Sequence, residues 1–151
     1  MSSDFKDFHF AEPIQRALDE AGYEVPTPIQ LDAIPVLLEG RDLIGVAETG
    51  TGKTLAFLLP IFHRFTPGGV DPQALVVCPT RELAIQVAGE AVRFGRHLGV
   101  RTVLAYGGTS SADQKKALAE GCDLVVGTPG RLLDFLSSAW LSVRRLRFVV
   151  L

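Results

Sequence analysis

The stretch Ala47-Glu48-Thr49-Gly50-Thr51-Gly52-Lys53-Thr54 decides the fold. It matches the phosphate-binding loop pattern, with Ala47 in place of the usual first glycine. The spacing has a chemical reason. Gly50 and Gly52 let the backbone curl around phosphate oxygens with no Cβ in the way. The N–H groups of the loop and of the following helix start then point at the anion. Lys53 is placed to reach the β and γ phosphates, and Thr54 to offer its hydroxyl to Mg²⁺. Glu48, Thr49 and Thr51 complete the loop. The loop alone does not choose among kinases, GTPases and motor ATPases.

The flanks fit this reading. Asp42-Leu-Ile-Gly-Val-Ala47 is a short apolar run suited to a buried strand, and Thr54–Phe65 is an apolar helix that Pro60 should kink or shorten. Further out, helices are expected over Glu12–Ala21, closed by Gly22, and over Pro28–Glu39, stopped by Gly40. Downstream the pattern alternates. ALVVCP, RTVLAYGG, DLVVGTP and RFVVL read as strands, and TRELAIQVAGEAVRFGRHLG, SADQKKALAEG and GRLLDFLSSA as the helices between them. Uniformly apolar strands alternating with helices mean an α/β fold with a mostly parallel sheet. Strand order does not follow from the spacing.

With 151 residues, 47% hydrophobic and 21% charged, the chain suits one globular domain with a substantial core. No apolar run is long enough to cross a bilayer. The start, MSSDFKDFHF, is acidic and has no apolar stretch of the secretory kind, so a cytoplasmic protein is expected, with no membrane partner. Cys78 and Cys122 lie in or beside apolar runs and read as buried free thiols. His9, His63 and His97 are scattered and carry no assigned chemistry. A net charge of −2 weighs against a general electrostatic nucleic-acid binder. Arg144, Arg145 and Arg147 form the densest basic patch, read as a solvated lead-in to the last strand.

One more stretch precedes the loop: Gly22-Tyr-Glu-Val-Pro-Thr-Pro-Ile-Gln30. Thr27 followed by Pro28 reads as an N-cap with proline at the first helical position. Gln30, three residues after the cap, can reach back to the cap's N–H. Thr80 and Thr128 could likewise cap helices, Arg81 and Arg131 could be surface arginines, and Gly107-Gly108 could be an ordinary turn. All three of these stretches, however, follow strand ends, where α/β sheets place their ligands.

In this order and spacing, GYEVPTPIQ, AETGTGKT, PTRELA (79–84), Gly107-Gly108 and TPGR (128–131) closely resemble the first RecA-like domain of the DEAD-box RNA helicases, over nearly the whole chain. The resemblance implies a RecA-like phosphate-loop domain with helices on both faces of its sheet, and ATP and Mg²⁺ as cofactors. It implies that Gln30 hydrogen-bonds the adenine edge, that Phe5 stacks on the base, and that Tyr23 and Thr27 belong to the same adenine-recognition motif. One amide offers a donor and an acceptor together, which suits the N6/N7 edge of adenine. It also implies that Pro79, Thr80, Arg81, Glu82, Gly107, Gly108, Thr128, Pro129, Gly130 and Arg131 line one side of an RNA groove. Hydroxyls, backbone N–H groups and guanidinium forks suit phosphate oxygens and carry no base code, so binding should be sequence-independent and salt-sensitive.

Two departures stand out. Glu48 occupies a position that is often glutamine in that family. RFVVL matches the strand that in the family runs into Asp-Glu-Ala-Asp, and the sequence stops at Leu151. The expectation is therefore an incomplete first domain over 1–151, lacking the metal-holding acids and the second RecA-like domain with its arginines. Lys53 and Thr54 would be its catalytic groups, and hydrolysis by this piece alone should be very slow. A different phosphate-loop phosphotransferase and a non-enzymatic, ATP-dependent RNA clamp stay open as other classes.

Overall fold

The computed structural model describes residues 4–151. Its helices are α1 (Glu12–Ala21), α2 (Pro28–Leu38), α3 (Lys53–His63), α4 (Arg81–Gly95), α5 (Ala112–Glu120) and α6 (Pro129–Ser137). Its strands are β1 (Ala74–Val77), β2 (Thr102–Ala105), β3 (Leu124–Gly127) and β4 (Phe148–Val150). The chain divides into two compact units. One holds the residues up to Phe65 together with Arg93–Leu98, and the other holds Thr66–Val92 and Gly99–Leu151.

The first unit is helical. In α1 the residues Ile14, Ala17 and Leu18 are buried, at the three- and four-residue spacing of one helix face. Gly22 ends α1 with φ +73°, a left-handed value that glycine adopts without penalty, and Tyr23 N–H donates to the Leu18 carbonyl at 3.0 Å. Phe5 and Phe8 form an edge-on aromatic pair at the N-terminal turn, with Phe10 tilted against Phe8. The helix α2 packs along α3, and Ile34, Leu58, Leu59 and Phe62 are fully buried. The helix α3 runs through Pro60 and ends at His63, short of the expected Phe65. In the last turn of α1, Glu20 accepts from His97 at 2.7 Å and also pairs with Arg96. The hydrogen bonds from His97 and Arg96 hold its carboxyl down at about 2.

The expected strand over 42–47 does not form. Residues 41–48 have no regular structure, and Ile44 and Val46 are 95% and 91% exposed. The reason lies in hydrogen bonding. An apolar run becomes a strand only with a neighbour to complete its ladder, and none of the four strands among the described residues pairs with this segment.

The second unit carries the sheet. It is all parallel, in the order β2-β3-β1-β4, so the α/β expectation holds and the strand order is now fixed. Every residue of β3 is buried, as a central parallel strand requires. Val103, Val125, Leu132 and Phe135 belong to one apolar cluster that includes Cys122. Both cysteines are free and buried, and burial pushes the Cys122 thiol up to about 12, which makes it inert at neutral pH.

Just before β3 sits a fully buried carboxylate. Asp123 accepts from Arg101 N–H at 2.8 Å and from Gly68 N–H at 3.0 Å, and pairs with the Arg101 guanidinium at 3.2 Å. Burial by itself would raise its pKa, but these bonds from Arg101 and Gly68 together outweigh it and hold the carboxyl below its ordinary value.

Candidate functional site

The phosphate loop lies in the first unit, at the N-terminus of α3, where orphan N–H groups favour an anion. Lys53 and Thr54 are the first two residues of that helix. The loop is held shut by its own side chains. Lys53 Nζ donates to the Ala47 carbonyl at 2.7 Å, and Thr51 Oγ1 to the Glu48 carbonyl at 2.6 Å. Thr27 Oγ1 donates to the Thr51 carbonyl at 2.7 Å, and Gln30 Nε2 to the Gly52 carbonyl at 3.0 Å. Thr27 and Gln30 are thus tied to the loop directly, 20 and more residues along the chain, as well as to each other.

The Gln30 side chain carries out the capping expected of it. Its Oε1 accepts from Thr27 N–H at 2.9 Å, at the start of α2. It is one of two buried polar or charged residues among those described, 3% exposed. Phe5 is 1% exposed against Phe8, so a base could reach its ring only after the N-terminal turn shifts. Tyr23 is more open and lies against Phe94 at 5.5 Å between ring centres. Glu48, Thr49 and Gly50 are exposed.

For a metal, the donor set is thin. Thr54 contributes a hydroxyl, and among the described residues no group of three His, Cys, Asp or Glu side chains could hold an ion. This fits Mg²⁺ carried in on phosphate oxygens, which needs few protein ligands and keeps most of its water. It does not fit a metal held by protein alone.

The second unit brings together the three other motifs. The sheet order places β2, β3 and β1 side by side. Their last residues are level, since Ala105 pairs with Gly127 and Gly127 with Val77. Gly107-Gly108, TPGR and PTRELA therefore leave three adjacent parallel strands at one edge, in that spatial order. Thr80 Oγ1 accepts from Leu83 N–H at 3.2 Å and caps α4, while Thr128 stands at the N-cap position of α6 with no side-chain cap bond and its N–H donates to the Ala105 carbonyl at 3.0 Å. The Arg81 guanidinium lies over the Tyr106 ring, 4.9 Å from its centre. Arg131 donates to Gln114 Oε1 at 3.0 Å and to the Thr109 carbonyl at 2.8 Å, and Gln114 Nε2 donates to the Tyr106 carbonyl at 3.2 Å. Pro79, Glu82, Gly107, Gly108, Pro129 and Gly130 are exposed.

Two residues that couple these motifs were not read from the sequence. Tyr106 carries Arg81 on its ring, and Gln114 bridges Tyr106 to Arg131. Tyr106 had a signal, being the aromatic residue directly before Gly107-Gly108. Gln114 had none, since it sits in α5 among ordinary polar residues.

The pattern of the DEAD/DEAH box helicase family matches residues 27–151. The chain belongs to that family. It is 49% identical over 148 residues to the ATP-dependent RNA helicase DeaD of Escherichia coli (strain K12), covering 97% of this chain and 24% of the relative. It is 45% identical over 156 residues to the human probable ATP-dependent RNA helicase DDX23, covering 97% of this chain and 19% of the relative. The human probable ATP-dependent RNA helicase DDX46 is 47% identical over 146 residues, covering 91% of this chain and 14% of the relative. The chain thus spans a quarter or less of these relatives. No helix among the described residues of this helicase-family chain is long and apolar enough to cross a membrane.

Proposed function

We propose that the chain is the nucleotide-binding part of an ATP-dependent RNA helicase, and that it also supplies one wall of the RNA groove. The observation that carries the reading is the level row of three motif-bearing strand ends, β2, β3 and β1, in a chain that also has a phosphate loop at a helix N-terminus.

For nucleotide, the β and γ phosphates would lie over the N-terminus of α3, where loop N–H groups and Lys53 meet them. Lys53 would then leave the Ala47 carbonyl for the phosphate oxygens, which are the stronger acceptors. Residues 48–54 would cradle the anion. Bound with the nucleotide, Mg²⁺ would neutralise charge between the phosphate oxygens, with the Thr54 hydroxyl as its protein ligand. Gln30 supports the adenine reading through its valences. An amide has two N–H donors and two acceptor lone pairs. The bonds to Gly52 and Thr27 use one of each and leave a donor and an acceptor for the adenine edge. Tyr23 and Phe5 would flank the base once uncovered.

For RNA, the Thr80 and Thr128 hydroxyls, the Gly108 and Gly130 N–H groups and the Arg81 and Arg131 guanidinium groups would hold sugar-phosphate groups. Pro79, Glu82, Gly107 and Pro129 would shape the groove beside them. None of these reads a base edge, so recognition would be independent of sequence. The parent protein would close a second RecA-like domain on the same strand and couple ATP binding and hydrolysis to unwinding of short RNA duplexes. Lys53 and Thr54 are the groups this chain brings to catalysis.

The test is a pair of calorimetric titrations, with ADP and with GDP, alongside a labelled uridine oligonucleotide with a non-hydrolysable ATP analogue. Preference for ADP and salt-sensitive RNA binding support the reading. Equal affinity for ADP and GDP removes the adenine assignment, and nucleotide binding with no RNA binding removes the RNA-groove assignment.

A further inference from the structure

A cavity of about 590 Å³ lies in the second unit, far along the strands from the motif edge. Gln73 directly precedes β1 and Arg147 directly precedes β4, so the cavity stands at the N-terminal ends of these strands, while the motifs leave the C-terminal ends. Its wall is built. The Gln73 side chain donates to the Thr66 carbonyl at 2.6 Å, and the Gln73 carbonyl accepts from Arg147 N–H at 2.8 Å. The buried Asp123 holds Gly68 N–H, and Arg101 donates to the Gly69 carbonyl. One glutamine and one buried ion pair thus fix both sides.

The lining has a definite chemistry. Arg144, Arg145 and Arg147 are exposed along it, and Asp71 and Leu146 are partly covered. Neither Arg144 nor Arg145 forms an ion pair among the described residues. Two guanidinium forks without carboxylates, in a chain of net charge −2, are a local anion-binding feature rather than part of a general basic surface.

We propose that this cavity is a docking site for an acidic peptide segment of a partner protein. Carboxylate side chains would meet Arg144 and Arg145 in forked pairs. An apolar side chain would rest on Leu146 and Pro67, and a peptide N–H would meet Asp71. A nucleic-acid strand fits less well. It carries a negative charge at every step and would have to pass Asp71, and among the described residues no aromatic ring lines the cavity to stack a base. The site is independent of the helicase reading, because it lies at the opposite strand ends.

The test uses fluorescence anisotropy with the full chain and two labelled probes, a glutamate-rich nonapeptide bearing two leucines and a uridine oligonucleotide. The peptide should bind saturably. The double substitution Arg144→Glu/Arg145→Glu should weaken it about tenfold or more, as loss of forked charge pairs at a contact does. Replacing the two leucines by serine should weaken it about fivefold, through lost apolar contact. Arg131→Ala should leave peptide affinity unchanged, and the charge reversal should leave RNA affinity unchanged. Arg144→Lys/Arg145→Lys, which keeps charge and loses the fork, should fall between, and thermal melts confirm that each variant is folded. The proposal is overturned if the peptide does not saturate, if the charge reversal leaves its affinity intact, or if the serine peptide binds as well as the leucine one. Loss of RNA binding in the charge-reversed variant would assign the rim to RNA and overturn it equally.

Discussion

Gln30 Nε2 lies 3.0 Å from the Gly52 carbonyl oxygen, and a Cβ built on Gly52 would lie 2.4 Å from that same nitrogen. The helix-capping glutamine and the phosphate-loop glycine are therefore a fitted pair. Gly52 also has φ +87°, where a side chain is strained. Gly52→Ala should destabilise the first unit by about 1–3 kcal/mol and weaken ADP binding. In the double variant Gly52→Ala/Gln30→Ala the clash is relieved, so the two effects should add to less than their sum. Urea unfolding of the four proteins measures this, and strict additivity would deny the contact.

Gln30 should have two separable roles, the cap and loop tie seen in the structure and the adenine contact proposed above. Gln30→Ala leaves Thr27 N–H and the Gly52 carbonyl without their partner and should cost about 1–3 kcal/mol. Gln30→Glu keeps an acceptor for Thr27 N–H but brings no donor to Gly52 or to a base. It should be no more stable than the alanine variant, because it sets a buried carboxylate against the Gly52 carbonyl, and should lose any preference for ADP over GDP. Calorimetry and thermal melts together read the two roles apart.

Acid should loosen both units. Asp123 and Glu20 have folded-state pKa values below their ordinary ones, Glu20 at about 2. Each therefore contributes stability that is fully present above the unfolded value, roughly 4, and is lost as pH falls through the folded value. Urea midpoints should hold from neutral pH down to that point and drop below it. Asp123→Asn turns an acceptor toward Arg101 into a donor and should cost about 1.5–3 kcal/mol at neutral pH. Its penalty should shrink in acid, because the wild type then loses the same carboxylate.

Arg131 bridges two of the three motif loops through Gln114 and the Thr109 carbonyl. Arg131→Ala should weaken RNA binding about tenfold, lower its salt dependence by about one phosphate contact, and leave ADP affinity unchanged. Arg131→Lys should not restore it, since one ammonium cannot span both acceptors. Gln114→Ala should produce a smaller loss in the same direction.

Much of this was legible in the chain. The helix α1 carried its apolar spacing and its closing glycine, and ALVVCP and DLVVGTP announced parallel strands by being apolar throughout. The phosphate loop and the motif stretches were visible as residue types at fixed intervals. What the sequence withheld was pairing. It could not give the order β2-β3-β1-β4, which makes neighbours of three distant motifs. The run over 42–47 has the composition of a buried strand, but composition does not supply a ladder partner. Phe5 and Gln30 were expected to face a ligand, and their packing against Phe8 and hydrogen bonding to Gly52 depend on contacts that no local pattern reports.

The level ends of β2, β3 and β1 also act as a ruler. Neighbouring strands stand about 4.8 Å apart, so the row from the first motif to the third measures roughly 10 Å. That span comes from backbone hydrogen bonding and not from any side chain. Under the proposed RNA reading, substitutions in the three loops would alter how hard a strand is held. They would not lengthen the row itself, which would take another strand in the sheet.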